Sequence, residues 1–83
     1  LIDIRYTRAA AKALSRLPAN TRDRIRSKIE AFAANPASQA NNVTALKGRE
    51  GIRLRVGAWR VIMSDEGVVL AVLDVGPRGG IYD

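Results

Sequence analysis

The sequence predicts an α+β fold: an N-terminal strand, a two-helix hairpin, and a small antiparallel-rich sheet covered by that hairpin on one face, in the order β-α-α-β-β-β. Three observations predict it. Alternating apolar residues open the chain, two stripes of helical period follow, and three further alternating stretches come after them.

Ile2, Ile4 and Tyr6 alternate with Asp3 and Arg5, which is the period of a strand. Thr7 then stands where a helix needs its N-cap. The stretch TRAAAKALSRL predicts a helix through Leu17, with Ala10, Leu14 and Leu17 as its apolar stripe. Pro18 interrupts this pattern. Asn20 is the expected cap of a second helix, and Asp23 lies near the positive end of its dipole. The stretch TRDRIRSKIEAFAAN sets Ile25, Ile29 and Phe32 at i, i+4 and i+7. The helix is expected to stop at Asn35, because Pro36 disfavours a helical residue before it. The first helix is too short to be stable alone, so the pair must lie on a sheet. Residues Ala37 to Gly51 are polar and read as irregular, with Leu46 as an apolar anchor. Ile52–Val56, Trp59–Ser64 and Val68–Val75 are the three remaining strands, separated by the dipeptide Gly57-Ala58 and by Asp65-Glu66-Gly67.

Two residues are enough for a β-hairpin loop if the first can take positive φ, as Gly57 can in a type II′ turn. That loop length dictates a register: Val56 opposite Trp59, Arg55 opposite Arg60, Leu54 opposite Val61, Arg53 opposite Ile62, and Ile52 opposite Met63. Ile52, Leu54, Val56, Trp59, Val61 and Met63 then share the face that receives the helices. Arg53, Arg55 and Arg60 share the other. Arg55 and Arg60 become a like-charged cross-strand pair, which is unfavourable. At about 5 Å in water the repulsion is roughly 0.8 kcal/mol, and it grows as the dielectric falls. Either the long stems splay into solvent, or an anion laid across the face offsets the repulsion.

Eighty-three residues make one domain at most, with a thin core. Apolar residues make up 47%, too many for a disordered chain. Without cysteine there is no disulfide and no thiolate metal site, and a reducing compartment is permitted. Without histidine the usual general acid/base and the commonest metal ligand are both missing. No apolar run approaches the ~20 residues that span a bilayer, and no leader pattern opens the sequence, so the expected location is the cytoplasm with no membrane partner. Fourteen basic residues, eleven of them arginine, face eight acidic ones for a net charge of +6. Such a surface suits nucleic acid, an acidic protein partner, both, or no ligand at all. Arg8, Lys12 and Arg16 lie at i, i+4 and i+8, away from the apolar stripe.

The segment DVGPRGGIYD follows. Arg78 comes just after the last strand, and Tyr82 follows the flexible pair Gly79-Gly80. That tyrosine either plugs a sheet edge or swings over the arginine face.

Taken in order, ALKGREGIRLRVGAWRVIM and VLDVGPRGGIYD resemble the RelE/ParE superfamily of bacterial type II toxins, on its RelE-like branch. The likeness lies in a leucine–basic–glycine step, an arginine-rich hairpin with an aromatic residue before Arg60, a Val-Gly-x-Arg turn and a closing tyrosine. It covers nearly all of the chain and implies a single RelE-like toxin domain over residues 1–83. It further implies a ribosome-dependent endonuclease that cuts messenger RNA in the ribosomal A site, inhibits translation, and is neutralised by a cognate antitoxin. By the same resemblance Arg53, Arg60, Arg78 and Tyr82 match catalytic positions, and Arg55 and Lys47 match substrate-binding ones. Arg8, Lys12, Arg16, Arg22 and Arg26 read as contacts to ribosomal RNA phosphates or as a solvated face. Gly51 stands where some members carry another catalytic lysine, and Pro77 where many carry Lys or His.

The residue inventory narrows the chemistry further. A two-histidine ribonuclease is excluded. Glu50, Asp65, Glu66 and Asp74 are scattered over turns and strand ends, which argues against a metal site, and no cofactor is expected. Arginine and tyrosine around a phosphate remain. RNA supplies its own nucleophile, the 2′-OH; arginines can stabilise the phosphorane, and Tyr82 can act as base or stack on a nucleobase. A tyrosine base must be acidified by neighbouring arginines, and arginine is a poor acid. The charge predicts an acidic, amphipathic, RelB-like antitoxin and a toxin–antitoxin hetero-oligomer. A ParE-like DNA gyrase inhibitor on the same scaffold and a non-catalytic RNA-binding module are the alternatives.

Overall fold

The computed structural model describes residues 3–48 and 50–77. Five strands and two α-helices follow the expected order, with two additions: β1 (Asp3–Tyr6), α1 (Arg8–Ser15), α2 (Ala19–Ala34), a 3-10 helix (Pro36–Asn42), β2 (Val43–Ala45), β3 (Ile52–Val56), β4 (Trp59–Asp65) and β5 (Val69–Pro77). The strands form one sheet in the order β1-β5-β4-β3-β2. Only β1–β5 is parallel; the other pairs are antiparallel.

The additions fall in the stretch expected to be irregular. Pro36 starts the 3-10 helix, and Val43, Thr44 and Ala45 pair with Leu54, Arg53 and Ile52. Three residues carry too little alternation to announce a strand; the pairing with β3 supplies the missing stabilisation. Leu46 is half-buried, and its N–H donates to the Gly51 carbonyl at 3.1 Å, closing the loop between β2 and β3. The second helix also begins earlier than expected. Pro18 holds the N-cap position with φ −55°, and its carbonyl accepts from the Arg22 N–H at 2.9 Å. Asn20 does not cap; its Oδ1 accepts from the adjacent Thr21 N–H. Proline's fixed φ is already compatible with a helix start, so the helix takes it.

Both helices lie on one sheet face. Ala10 and Leu14 of α1, with Ile25, Ile29, Phe32 and Ala33 of α2, pack against Leu54, Val56, Val61, Met63, Leu70, Val72 and Val75. Both helix stripes and the β3–β4 face read from the sequence are here, with Leu17, Ile52 and Trp59 only partly buried at the margin, and β5 adds Leu70, Val72 and Val75. No helix among the described residues is long and apolar enough to cross a membrane.

Thr7 ties the helical layer to the sheet. Its Oγ1 accepts from the Ala10 N–H at 3.2 Å, capping α1 as expected. The same hydroxyl donates to the Leu73 carbonyl at 2.8 Å, and the Thr7 N–H donates to the Val72 carbonyl at 3.0 Å. Leu73 is the extra residue of a β-bulge: Ile62 pairs with Asp74 and Met63 with Val72, so Leu73 has no partner on β4. The bulge restores the alternation on β5, keeping Val72 and Val75 both in the core. Replacing Thr7 with valine keeps the shape and removes both hydroxyl bonds. Urea unfolding should show a loss of about 1–2 kcal/mol for Thr7→Val, with Thr7→Ser much closer to wild type; equal stabilities would remove the junction from the account.

Candidate active site

The hairpin register is the one the turn demands: Val56 with Trp59, Arg55 with Arg60, Leu54 with Val61, Arg53 with Ile62, Ile52 with Met63. Gly57 adopts φ 60° at the first turn position. Arg53, Arg55 and Arg60 therefore project from the sheet face opposite the helices. They differ in environment. Arg55 is exposed, Arg53 is half-buried, and Arg60 retains 9% exposure. Ile62, on the same face, is fully buried. The arginine face is thus not a uniformly solvated surface: one guanidinium is sunk into it.

The three arginines line a cavity of about 110 Å³ with Asn41, Asn42 and Thr44. Thr44 stands opposite Arg53 in the β2–β3 register. Asn42, at the end of the 3-10 helix, accepts from Arg55 Nη2 through its Oδ1 at 3.3 Å. Among the described residues the lining thus combines guanidinium groups with neutral amides and a hydroxyl, and contains no carboxylate. Such a surface favours an anion that needs many donors in fixed directions. Among the described residues no three carboxylates gather into a metal-binding group.

The two asparagines and Thr44 were not candidates in the sequence, because the stretch they occupy reads as irregular. Its only signal was the pairing capacity of Val43-Thr44-Ala45. Arg24 and Lys28 were also passed over. With Asn42, Arg55, Val56, Gly57 and Arg60 they line a second cavity of about 400 Å³. Their spacing of four puts them on one side of α2, which is the signal that could have singled them out.

The remaining sequence candidates lie elsewhere. Lys47 is exposed in the loop between β2 and β3 and lines neither of these cavities. Arg8 and Lys12 are exposed along α1, with Arg16 just beyond its end. Arg22 and Arg26 line a separate cavity between the helices and β1, of about 450 Å³, with Tyr6, Ala11, Leu14, Ser15 and Asp23. The Arg26 guanidinium lies over the Tyr6 ring, 5.6 Å from its centre. Arg78 and Tyr82 lie outside the described residues.

The glycine at position 51 has a structural reason. Its φ is 119°, a conformation L side chains rarely adopt, and an added Cβ would stand 2.9 Å from the Met63 carbonyl oxygen and 3.1 Å from Leu46 Cδ1. Backbone on one side and a strained dihedral on the other leave no room for the lysine that some relatives are expected to carry here.

The fold is that of a toxin of the RelE/ParE superfamily. Residues 4–82 match the family model for the ParE toxin of type II toxin–antitoxin systems, parDE, and the chain belongs to that family. It is similar to the archaeal RelE–RelB complex from Pyrococcus horikoshii OT3, with 25% identity, a TM-score of 0.77, and coverage of 95% of this chain and 97% of that one. It is similar too to the RelB–RelE antitoxin–toxin complex from Methanococcus jannaschii, at 25% identity and a TM-score of 0.73, covering 95% of each chain. The intact E. coli RelBE toxin–antitoxin complex is 26% identical with a TM-score of 0.69, over 93% of this chain and 96% of that one. No curated protein matches the chain in sequence. The protein is a toxin of a type II toxin–antitoxin system.

Two predictions follow from this geometry. Gly51→Lys should destabilise the fold by about 1–3 kcal/mol through the strained dihedral alone, more with the contact against Met63, and should not raise activity; thermal unfolding beside an activity assay checks both. The second concerns Tyr6, whose pKa is raised above 10.0 chiefly by burial, with Arg26 opposing. The folded state therefore keeps the phenolic proton to higher pH than the unfolded chain does. This contribution to stability is complete below pH 10.0 and is lost as pH rises through the folded pKa. Titrating tyrosinate absorbance in Tyr82→Phe should give a midpoint above 10.0, with stability falling over the same range; a midpoint below 10.0 would mean that Arg26 outweighs burial.

Proposed function

We propose that residues 1–83 act as one toxin domain and that the arginine face is the active site of a metal-independent endoribonuclease cutting messenger RNA in the ribosomal A site. The observation that carries this reading is the cavity lined together by Arg53, Arg55 and Arg60, with no carboxylate among the described residues of its wall. The 2′-OH attacks the adjacent phosphorus, the bond to the 5′-oxygen breaks, and a 2′,3′-cyclic phosphate and a 5′-OH result. The extra negative charge of the phosphorane falls to Arg53 and Arg60, with Arg78, while Arg55 and Lys47 hold neighbouring RNA. Tyr82 takes the 2′ proton or stacks on a base. The leaving 5′-oxygen must recover a proton, and an arginine, holding its own past pH ~12, gives it up poorly. The free enzyme is accordingly slow, and the ribosome supplies the alignment of the message. Arg8, Lys12, Arg16, Arg22 and Arg26 are then contacts to ribosomal RNA.

The structural relatives crystallised as RelB–RelE complexes support an antitoxin partner for this chain. The net charge of +6 makes an acidic, amphipathic, RelB-like segment the fitting partner, in a cytoplasmic hetero-oligomer. The match to the ParE model favours one other target for the same scaffold, DNA gyrase.

In vitro translation of a defined message, with primer extension to map new 5′ ends, separates the readings. Wild type should produce ends at A-site positions only when ribosomes are present. Arg60→Ala and Tyr82→Phe should each lose about 10²-fold or more in cleavage, the scale of losing one fixed transition-state donor or a proton-transfer group. Intact message with unimpaired translation, together with inhibited supercoiling, would assign gyrase instead.

A further inference from the structure

The cavity containing Arg24 and Lys28 shares three residues with the one on the arginine face: Asn42, Arg55 and Arg60. They are two chambers of one track. The connection exists because β2 is short. It pairs with β3 only from Ile52 to Leu54, so Arg55 and Val56 lie beyond its end. Past that end the track turns the edge of β3 and reaches α2, where Arg24 and Lys28 line its far wall.

Arg24 is exposed on α2, beside the hairpin turn. Its guanidinium rests on the hairpin turn: a Cβ added to Gly57 would lie 3.3 Å from Nη2, 3.5 Å from Nη1 and 3.6 Å from Cζ. Among the described residues four cations converge on this chamber, and no carboxylate lines it. Neither Arg24 nor Lys28 is in ion-pair contact with a carboxylate among the described residues. An anion with several charges lying across clustered positive charge of this kind turns its repulsion into attraction. Among the described residues Val56 is the one apolar side chain in the lining, a small floor for the apolar stripe of an amphipathic peptide. A sugar–phosphate backbone needs none.

We propose that Arg24, Lys28 and Asn42 form a second phosphate subsite, continuous with the arginine face, that takes the backbone of single-stranded RNA beyond the phosphate held by Arg53, Arg55 and Arg60. The inference rests on the reading of that face as an RNA site. Arg24 and Lys28 are positioning residues in this account: they set the path and register of the strand and touch no reacting atom. Their loss weakens capture of RNA and its salt dependence, while the arginine face stays intact.

The test is fluorescence anisotropy of the full chain with a non-cleavable 2′-O-methyl hexanucleotide across a salt series. Each phosphate contact on a single strand contributes about 0.7 to the slope of log K against log salt. Arg24→Gln/Lys28→Gln should therefore reduce the slope by roughly 1.4. Arg5→Glu, on β1, makes the same two-unit change in net charge and should leave the slope unchanged. Wild-type binding with an unaltered slope in the double variant overturns the subsite and leaves the arginine face standing. An equal loss in Arg5→Glu overturns it too, as a general charge effect. A polyglutamate peptide that competes in wild type but not in the double variant, with the RNA slope unchanged, assigns the chamber to an acidic protein segment instead. Absence of any binding by wild type overturns both the subsite and the RNA reading beneath it.

Discussion

The turn at Gly57-Ala58 constrains everything on both faces of the sheet. Two residues allow one pairing of β3 with β4, and that pairing puts Leu54, Val61 and Met63 in the core. A slip by one residue would turn one strand over, exposing either Leu54 or Val61 and Met63 and driving that strand's arginines under the helices. Fully burying each apolar side chain is worth about 1.5–3 kcal/mol. The Arg55–Arg60 repulsion, roughly 0.8 kcal/mol in water, is small beside their sum. The apolar face therefore dictates the register and the arginines follow. Their crowding is a by-product that the core can sustain, and it stays available to any anion that lands there.

A second constraint acts from the opposite side of the sheet. The bulge at Leu73 shifts β5 by one residue, so that Val75, Val72 and Leu70 all face the helices although they are unevenly spaced. The freed carbonyl of Leu73 receives the Thr7 hydroxyl, which fixes where α1 begins. Each helix is thus held to the sheet independently: α1 through this junction, and α2 through Ile25, Ile29 and Phe32. The basic residues on the outward side of α2 inherit a fixed position from its buried side.

Much of this was legible in the sequence, and the exceptions have physical causes. The hairpin register could be read because strict alternation and a two-residue loop leave a single solution. The helix stripes could be read because Ile25, Ile29 and Phe32 keep helical spacing. The burial of Arg60 could not, since alternation assigns a face and says nothing about depth. Strand β2 is only three residues long, and its existence depends on β3 being there to pair with. Asn20 has the chemistry of a cap, yet Pro18 already had the dihedral a helix start requires. Arg24 and Lys28 were hidden because reading a helix for its apolar stripe picks out what is buried, while their importance comes from where a sheet edge happens to end. Gly51 looked like a missing catalytic group, and its 119° dihedral makes it a requirement of the chain path.

The place of β5 also bears on when this protein comes into being. β5 lies between β1 and β4, and its tie to the Thr7 hydroxyl spans 66 positions in sequence. A hairpin such as β3–β4 forms in about 1–10 μs once its residues are available. At synthesis rates of roughly 5–20 residues per second, those 66 positions take about 3–13 seconds to make. Throughout that interval β1 has no neighbour and α1 has no sheet to lie on. The finished sheet, and with it the full arginine face, arises only after the ribosome has carried the chain through β5. The pace of translation is in this way a clock on the appearance of the toxin.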